Sequence, residues 1–195
     1  MTEKLLKGAA FLDRDGVINE EVNYLHEPEK TVIVPGVAEA LNLIHKHGYL
    51  AVIVTNQSGI ARGMYGEPEM HSVHAKIKEL LAADGAYFDA VYFCPHPPAA
   101  ECCCRKPKPG MLLQGAKDLG IDPAISFMVG DRAGDIAAGN TAGCKTSYLV
   151  RSGYGTETLK EGTPPGAVVV DDLLAAVKDF FNEGSPDPVR NAENI

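Results

Sequence analysis

Short apolar runs alternate with helical stretches along most of this chain. Apolar runs bounded by polar or turn residues predict strands at 8–12, 49–54, 90–93, 125–129, 145–150 and 167–170. Apolar residues at helical spacing predict a helix from Val37 to the capping Gly48, and further helices at about 67–83, 110–119, 133–142 and 171–182. This alternation indicates an α/β domain with a parallel sheet covered on both faces.

Three segments follow neither pattern. Residues 16–36 predict an irregular flap, residues 151–166 a loop rich in glycine and proline, and residues 184–195 a disordered tail. The flap and residues 56–66 are too short for a separate cap. We therefore expect one domain over residues 1–183, without a large cap domain.

Charge and hydropathy narrow the class of partner. The net charge of −8, from 26 acids and 18 bases, argues against nucleic acid, since phosphate backbones require clustered positive charge. No apolar run approaches the roughly 18 residues of a membrane span. The first residues lack the apolar segment of a secretory signal. We expect a cytoplasmic monomer without a membrane or nucleic-acid partner, for which a small phosphorylated metabolite is a possible substrate.

Polar side chains follow several predicted strands where each strand ends. Asp13 and Asp15 follow the first, Thr55 the second and Asp131 the fourth, while Lys106 lies in the loop after the third. Ligands of open parallel sheets bind beyond the carboxyl ends of the strands, so these groups should converge on one crevice. Carboxylates there suit Mg²⁺, and an aspartate can also act as nucleophile or acid and base.

Four motifs in this order resemble those of the haloacid dehalogenase (HAD) superfamily of phosphatases. They are Phe-Leu-Asp-Arg-Asp-Gly-Val-Ile at 11–18, Thr-Asn-Gln at 55–57, Lys106, and Gly-Asp-Arg at 130–132 with Asp135. The resemblance covers about residues 8–150. It implies a HAD-like Rossmannoid fold with three α/β/α layers.

The resemblance also implies an Mg²⁺-dependent phosphomonoesterase that forms an aspartyl-phosphate. Asp13 would be the nucleophile and Asp15 the general acid and base. Thr55 and Lys106 would bind the transferring phosphoryl group, whose oxygens carry charge that must be neutralised. Asp13, the backbone carbonyl of Asp15 and Asp131 would hold Mg²⁺.

Four of the five cysteines lie within one short loop that also contains a histidine. The pattern Cys-x-His followed by Cys-x-Cys predicts a tetrahedral Zn²⁺ site with Cys94, His96, Cys102 and Cys104 as ligands. Cys103 in place of a neighbour is one alternative, and reduced thiols without a metal are another. Four protein ligands leave no open position, so we expect a structural zinc that stabilises the loop.

The segment from Cys94 to Pro107 resembles the histidinol-phosphatase branch of the superfamily. Two activities dominate this branch: loss of the C7 phosphate from D-glycero-D-manno-heptose 1,7-bisphosphate, a step towards the activated heptose of lipopolysaccharide, and hydrolysis of histidinol phosphate. Residues 55–63 and 108–113 are similar to the heptose enzymes, whereas the short spacing from His96 to Cys102 and Asp-Arg-Ala-x-Asp at 131–135 favour the histidinol enzymes.

We expect the heptose bisphosphate as substrate, with histidinol phosphate as the alternative. A non-catalytic phosphate-binding module is the alternative of another class. A bisphosphate needs further cations, for which Arg105 and Arg132 are candidates because arginine binds phosphate with two hydrogen bonds. Similarity to the heptose enzymes adds substrate contacts at Glu21, Val22, Asn23, Tyr24, Asn56, Gln57 and Ser58.

Two further expectations concern residues outside these motifs. His71 and His74 are three residues apart on a helix face that is predicted to be polar, so both side chains are expected to be solvated. Arg62 is expected to be a structural or surface charge.

Overall fold

Six parallel strands form one sheet at the centre of the computed structural model, which describes residues 6–182. The strands are β1 (Ala9–Leu12), β2 (Leu50–Asn56), β3 (Ala90–Cys94), β4 (Phe127–Gly130), β5 (Thr146–Val150) and β6 (Ala167–Val170). Their order across the sheet is β3-β2-β1-β4-β5-β6. The chain therefore changes direction across the sheet between β1 and β4, which is where ligands bind in doubly wound folds.

Helices cover both faces of this sheet. They are α1 (Val37–Lys46), α2 (Glu67–Ala82), α3 (Gly110–Leu119), α4 (Ala133–Ala142), α5 (Gly155–Glu161) and α6 (Leu173–Phe180). Successive residues of β1 point to opposite faces. Leu12 joins the apolar cluster beneath α1, α2 and α6, while Phe11 joins the one beneath α3 and α4. The expected three-layer α/β fold is confirmed, and each predicted strand lies within a few residues of its position.

The prediction of a loop over residues 151–166 is wrong in part, because α5 lies there. This helix has seven residues, and Leu159 is its single large apolar side chain, so the segment shows no helical periodicity. The backbone N–H of Tyr154 donates to Asp131 Oδ2 at 2.7 Å, and Thr158 Oγ1 donates to the Asp131 carbonyl at 2.9 Å. Contacts to a strand end therefore hold the start of α5.

No large cap domain is inserted between the described elements. The tail predicted for residues 184–195, and the end of the predicted domain at residue 183, lie outside the described residues. Among residues 6–182, none of the helices combines the length and apolar character that crossing a membrane requires.

Candidate active site

A crevice opens where β1, β2 and β4 end, and its volume is about 270 Å³. Asp13 follows β1 directly, Thr55 is the penultimate residue of β2, and Lys106 reaches the crevice from the loop after β3. Asp131 follows β4 and is fully buried beside this crevice. The strand ends thus bring together the groups that the sequence placed in one site.

Lys106 lies at the base of the crevice with its side chain almost completely buried. Its Nζ is 2.8 Å from Asp13 Oδ1 and 2.7 Å from Asp135 Oδ1, and it donates to the Val54 carbonyl at 2.7 Å. Burial alone disfavours the ammonium ion, but the carboxylates of Asp13 and Asp135 outweigh it and raise the pKa of Lys106. The side chain is therefore a permanent cation beside the predicted nucleophile.

Three carboxylates meet at this point. Asp13, Asp131 and Asp135 each offer an oxygen within 4.8 Å of the others, and all three are buried. Burial raises the pKa of Asp13 to about 7, against the opposing charge of Lys106 and with further repulsion from Asp135. Burial and repulsion by the other two carboxylates raise the pKa of Asp131 to about 8. One Lys106 ammonium does not balance three acids.

A divalent cation fits this group of oxygens. Oδ1 of Asp131 is buried and has no hydrogen-bond partner in the described structure, although Oδ2 accepts from Tyr154. Buried polar atoms are normally satisfied, and a hard cation such as Mg²⁺ would satisfy this one. The resemblance implied Asp131 as a metal ligand but not Asp135, although both belong to the same motif.

The carboxylate of Asp15 is held on both oxygens. Oδ1 accepts from Arg14 Nε at 3.1 Å, from Arg14 Nη2 at 2.8 Å and from Asn19 Nδ2 at 3.0 Å. Oδ2 accepts from Gln57 Nε2 at 3.1 Å. Gln57 is fixed in turn, because its Oε1 accepts from the Tyr65 hydroxyl at 2.6 Å. Asp15 therefore has one defined orientation at the edge of the crevice.

The end of β2 is joined to the loop that carries Lys106. Asn56 Nδ2 donates to the Lys106 carbonyl at 3.1 Å, and the Lys106 N–H donates to Asn56 Oδ1 at 3.1 Å. The hydroxyl of Thr55 is buried and accepts from Gln57 Nε2 at 2.9 Å. Asn56 thus acts as a clamp on the backbone of Lys106, while Thr55 and Gln57 also line the crevice.

One wall of the crevice is formed by Arg62, Arg105 and Arg132, and each of these arginines contacts a neighbouring residue. The guanidinium of Arg132 lies 3.7 Å from the centre of the Tyr154 ring, and that of Arg62 lies 5.8 Å from the centre of the Tyr24 ring. Arg105 Nη1 donates to the His96 carbonyl at 3.3 Å. An acidic chain thus presents a local cluster of cations where an anion would enter. Arg62, expected to be a structural or surface charge, lines this wall.

The flap contributes three of its four predicted contacts to the crevice. Glu21, Asn23 and Tyr24 line it, as does Ser58 from the segment after β2. Val22 does not, and its side chain is 42% exposed. Asn23 and Tyr24 both have positive φ, 26° and 61°, so the flap turns sharply at the residues that enter the crevice.

Cys94, His96, Cys102 and Cys104 form a compact group at the end of β3. Five of the six pairs of ligand atoms are 3.1 to 3.6 Å apart. A tetrahedral Zn²⁺ with bonds of about 2.3 Å to sulfur holds its ligands about 3.7 Å apart, so the group fits a zinc ion. Cys103, the alternative ligand, is exposed and stands outside the group.

The prediction for His74 is wrong, because this side chain is 6% exposed and faces the interior. Its Nε2 lies 3.4 Å from Nη1 of Arg14, which is itself 1% exposed. The two residues are 60 positions apart. The spacing of His74 from Met70 and Ile77 was the signal for its burial, although it did not indicate Arg14 as the partner; His71 is exposed as expected.

Known proteins resemble this chain closely. A HAD-hydrolase-like family model matches residues 103–176. The D-glycero-beta-D-manno-heptose-1,7-bisphosphate 7-phosphatase of Pasteurella multocida is 46% identical over 181 residues, which are 90% of this chain and 95% of that protein. The enzyme of the same name from Haemophilus ducreyi is 43% identical over 178 residues, 88% of this chain and 97% of that protein.

Solved structures of phosphatases also resemble this chain. The D,D-heptose 1,7-bisphosphate phosphatase from B. bronchiseptica, complexed with magnesium and phosphate, superposes with a TM-score of 0.83 at 36% identity, covering 90% of this chain and 99% of that one. The corresponding phosphatase from Burkholderia thailandensis gives a TM-score of 0.69 at 36% identity over the same shares. With this identity over nearly the full length of its relatives, the chain belongs to the D-glycero-D-manno-heptose-1,7-bisphosphate 7-phosphatase family of HAD phosphatases.

Proposed function

We propose that this protein hydrolyses the C7 phosphate ester of D-glycero-D-manno-heptose 1,7-bisphosphate, with Asp13 as nucleophile. The observation that carries the proposal is the grouping of Asp13, Lys106, Asp131 and Asp135 at the base of one crevice, with Asp15 oriented at its edge. A module that only bound phosphate would not require an oriented second carboxylate beside the first.

In the first step, a carboxylate oxygen of Asp13 attacks phosphorus and the bond from phosphorus to the C7 oxygen breaks. Oδ1 of Asp13 already accepts from the Arg14 N–H at 2.8 Å and contacts Lys106, so we assign the attack to Oδ2. Asp15 donates a proton to the departing oxygen. The products of this step are an aspartyl-phosphate and the heptose 1-phosphate.

In the second step, Asp15, now ionised, takes a proton from water, and the resulting hydroxide attacks phosphorus. The bond between phosphorus and Asp13 breaks, and inorganic phosphate leaves. Lys106 and the Thr55 hydroxyl neutralise charge on the phosphoryl oxygens in both steps. Asp13, Asp131 and the Asp15 carbonyl, with Asp135 beside them, would hold Mg²⁺, which would supply the positive charge that lets an anionic carboxylate approach an anionic phosphate.

The wall of the crevice supports a substrate with a second anionic group. Arg105 and Arg132 line the crevice together with Arg62, and each is oriented by a neighbour. We assign Arg105 and Arg132 to the distal phosphate and the sugar, since guanidinium groups bind phosphate through paired donors. Glu21, Asn23 and Tyr24 contact the sugar from the flap.

The cysteine and histidine group is proposed to hold a structural Zn²⁺. Burial raises the pKa of the Cys94 and Cys104 thiols, whereas at Cys102 the effect of burial is outweighed by hydrogen bonds from the backbone N–H of Arg105 and from Cys104, which lower the pKa of Cys102 to about 6. Cysteine binds zinc as the thiolate, so the zinc would supply the positive charge that three adjacent thiolates require. The zinc would fix the carbonyl of His96, and through it the guanidinium of Arg105.

The test is phosphate release by the purified protein with Mg²⁺, compared as kcat/KM for the heptose bisphosphate and for histidinol phosphate. We expect the bisphosphate to be preferred by about tenfold or more, which is roughly 1.4 kcal/mol of discrimination. The opposite preference would assign the protein to histidinol phosphate. Asp13→Asn should abolish turnover while circular dichroism and zinc content stay unchanged. Residual turnover by this variant would refute the assignment of the nucleophile.

A further inference from the structure

Arg14 lies between the two aspartates at the end of β1, and its side chain is buried. A guanidinium ion in the interior needs a partner for its charge and its five donors. Nε and Nη2 both donate to Asp15 Oδ1, at 3.1 and 2.8 Å. This paired contact uses one edge of the guanidinium. Nη1, on another edge, points towards α2.

The partner at Nη1 is His74, whose Nε2 is 3.4 Å away. Arginine has no acceptor and stays protonated, so Nε2 must accept and the ring proton lies on Nδ1. Burial and the adjacent guanidinium lower the pKa of His74 to about 3, so the ring is neutral at physiological pH. His74 lies on the buried face of α2 with Met70, Val73 and Ile77, which fixes the ring in place.

We propose that His74 is a positioning residue for Asp15 and acts through Arg14. By accepting from Nη1, the imidazole fixes the plane of the guanidinium, and the guanidinium fixes the rotation of the Asp15 carboxylate. Oδ1 of Asp15 then faces three donors, from Arg14 and Asn19. Three donors oppose a proton on Oδ1, whereas Oδ2 accepts from Gln57 Nε2 alone and has room for a proton, so the transferable proton resides on Oδ2. This inference rests on the proposed role of Asp15 as general acid.

A comparison of leaving groups distinguishes two roles for His74: positioning the general acid, and supporting the fold in general. An alkyl alcohol needs a proton as it departs, whereas p-nitrophenolate is a weak base and departs without one. A misplaced acid therefore lowers kcat/KM for alkyl phosphates and spares p-nitrophenyl phosphate. The ratio kcat/KM reports only steps through departure of the leaving group, so hydrolysis of the aspartyl-phosphate does not obscure the result.

The experiment measures kcat/KM for p-nitrophenyl phosphate, a series of primary alkyl phosphates and the heptose bisphosphate. His74→Leu removes the acceptor, and His74→Gln replaces it with an amide oxygen. We expect His74→Leu to lower the alkyl values about tenfold, with the p-nitrophenyl value within about twofold. His74→Gln should recover most of the loss. His71→Leu, on the exposed face of the same helix, should resemble the wild type.

Equal losses for alkyl and aryl esters in His74→Leu, or no recovery in His74→Gln, would overturn the proposal. Should His74→Leu fail to fold, Arg14→Lys keeps the buried charge, loses the paired contact and should show the same selective loss. The ester series does not depend on the heptose, so rejection of the bisphosphate alone would refute only the proposed substrate. If the wild type hydrolysed no ester at all, both proposals would fall.

Discussion

The raised pKa values of Asp13 and Asp131 make the stability of the metal-free protein depend on pH in a direction that the structure defines. The pKa of Asp131 is raised to about 8, so in the folded state this group keeps a proton that the unfolded chain has released. Folding therefore takes up protons between the unfolded and folded pKa values, and stability falls as pH rises through this window. Mg²⁺ binds the ionised carboxylates, so its stabilising effect should increase over the same range.

The perturbation is Asp131→Asn, which keeps the shape of the side chain and removes one charge. For each carboxyl that is protonated only in the folded state, a rise of one pH unit lowers the free energy of unfolding by about 1.4 kcal/mol. From about pH 6.5 to about pH 8, the wild type without Mg²⁺ should therefore lose about 1 to 2 kcal/mol more than the variant. Groups distant from Asp131 contribute equally in both proteins, so the difference cancels their contributions. Asp13 does not cancel, because the variant removes the repulsion between it and Asp131, and this adds to the difference.

The assay is urea denaturation of both proteins, followed by far-ultraviolet circular dichroism, with zinc held constant and Mg²⁺ absent or in excess. At about 100 times its dissociation constant, Mg²⁺ should add about 2.7 kcal/mol to the wild type at the higher pH and much less to the variant. Parallel pH curves for the two proteins would show that Asp131 keeps no proton in the folded state. Equal stabilisation of both by Mg²⁺ would also refute the reasoning.

Three further predictions concern the zinc group, the crevice wall and the packing of α4. Cys104→Ser should lose zinc, measured by mass spectrometry of the metal, while Cys103→Ser should retain it; the reverse result would exchange their roles. Arg105→Ala should lower kcat/KM for the bisphosphate about tenfold and leave p-nitrophenyl phosphate nearly unchanged, because a charged contact to the distal phosphate is lost. Gly139→Ala should destabilise by about 1 to 3 kcal/mol in urea, since a Cβ there would lie 2.5 Å from Ser147 Oγ and 2.6 Å from Met128 Cβ. Gly134→Ala, whose nearest neighbour is 3.7 Å away, serves as the control and should be neutral or slightly stabilising.

The strands and the convergence of the site could be predicted because both follow from local sequence. A buried parallel strand reads as a continuous apolar run, and Asp13 and Asp131 each stand directly after one. Parallel strands end at one edge, so the clustering of these residues required no knowledge of the order of the strands.

Other features depend on contacts between distant segments. His74 shares the buried face of α2 with Met70 and Ile77, so helical spacing could have predicted its burial, but not its contact with Arg14, 60 residues away. Helix α5 has one large apolar residue and is held by Asp131, a partner from another strand end. The place of Asp135 beside Lys106 likewise appears only when α4 is placed against the loop after β3.

The amide clamp between Asn56 and Lys106 bears on how this loop can change during evolution. Because β2 holds the Lys106 backbone by two hydrogen bonds, Lys106 has an anchor that is independent of the cysteine and histidine group. Residues between His96 and Cys102 are mostly exposed, and none of them takes part in the contact between Asn56 and Lys106. Insertions and deletions between His96 and Cys102 can therefore leave Lys106 in place. They would change the position of Arg105, whose guanidinium is bound to the His96 carbonyl. Substrate preference can therefore change through the loop between His96 and Cys102 without a compensating change at Asp13.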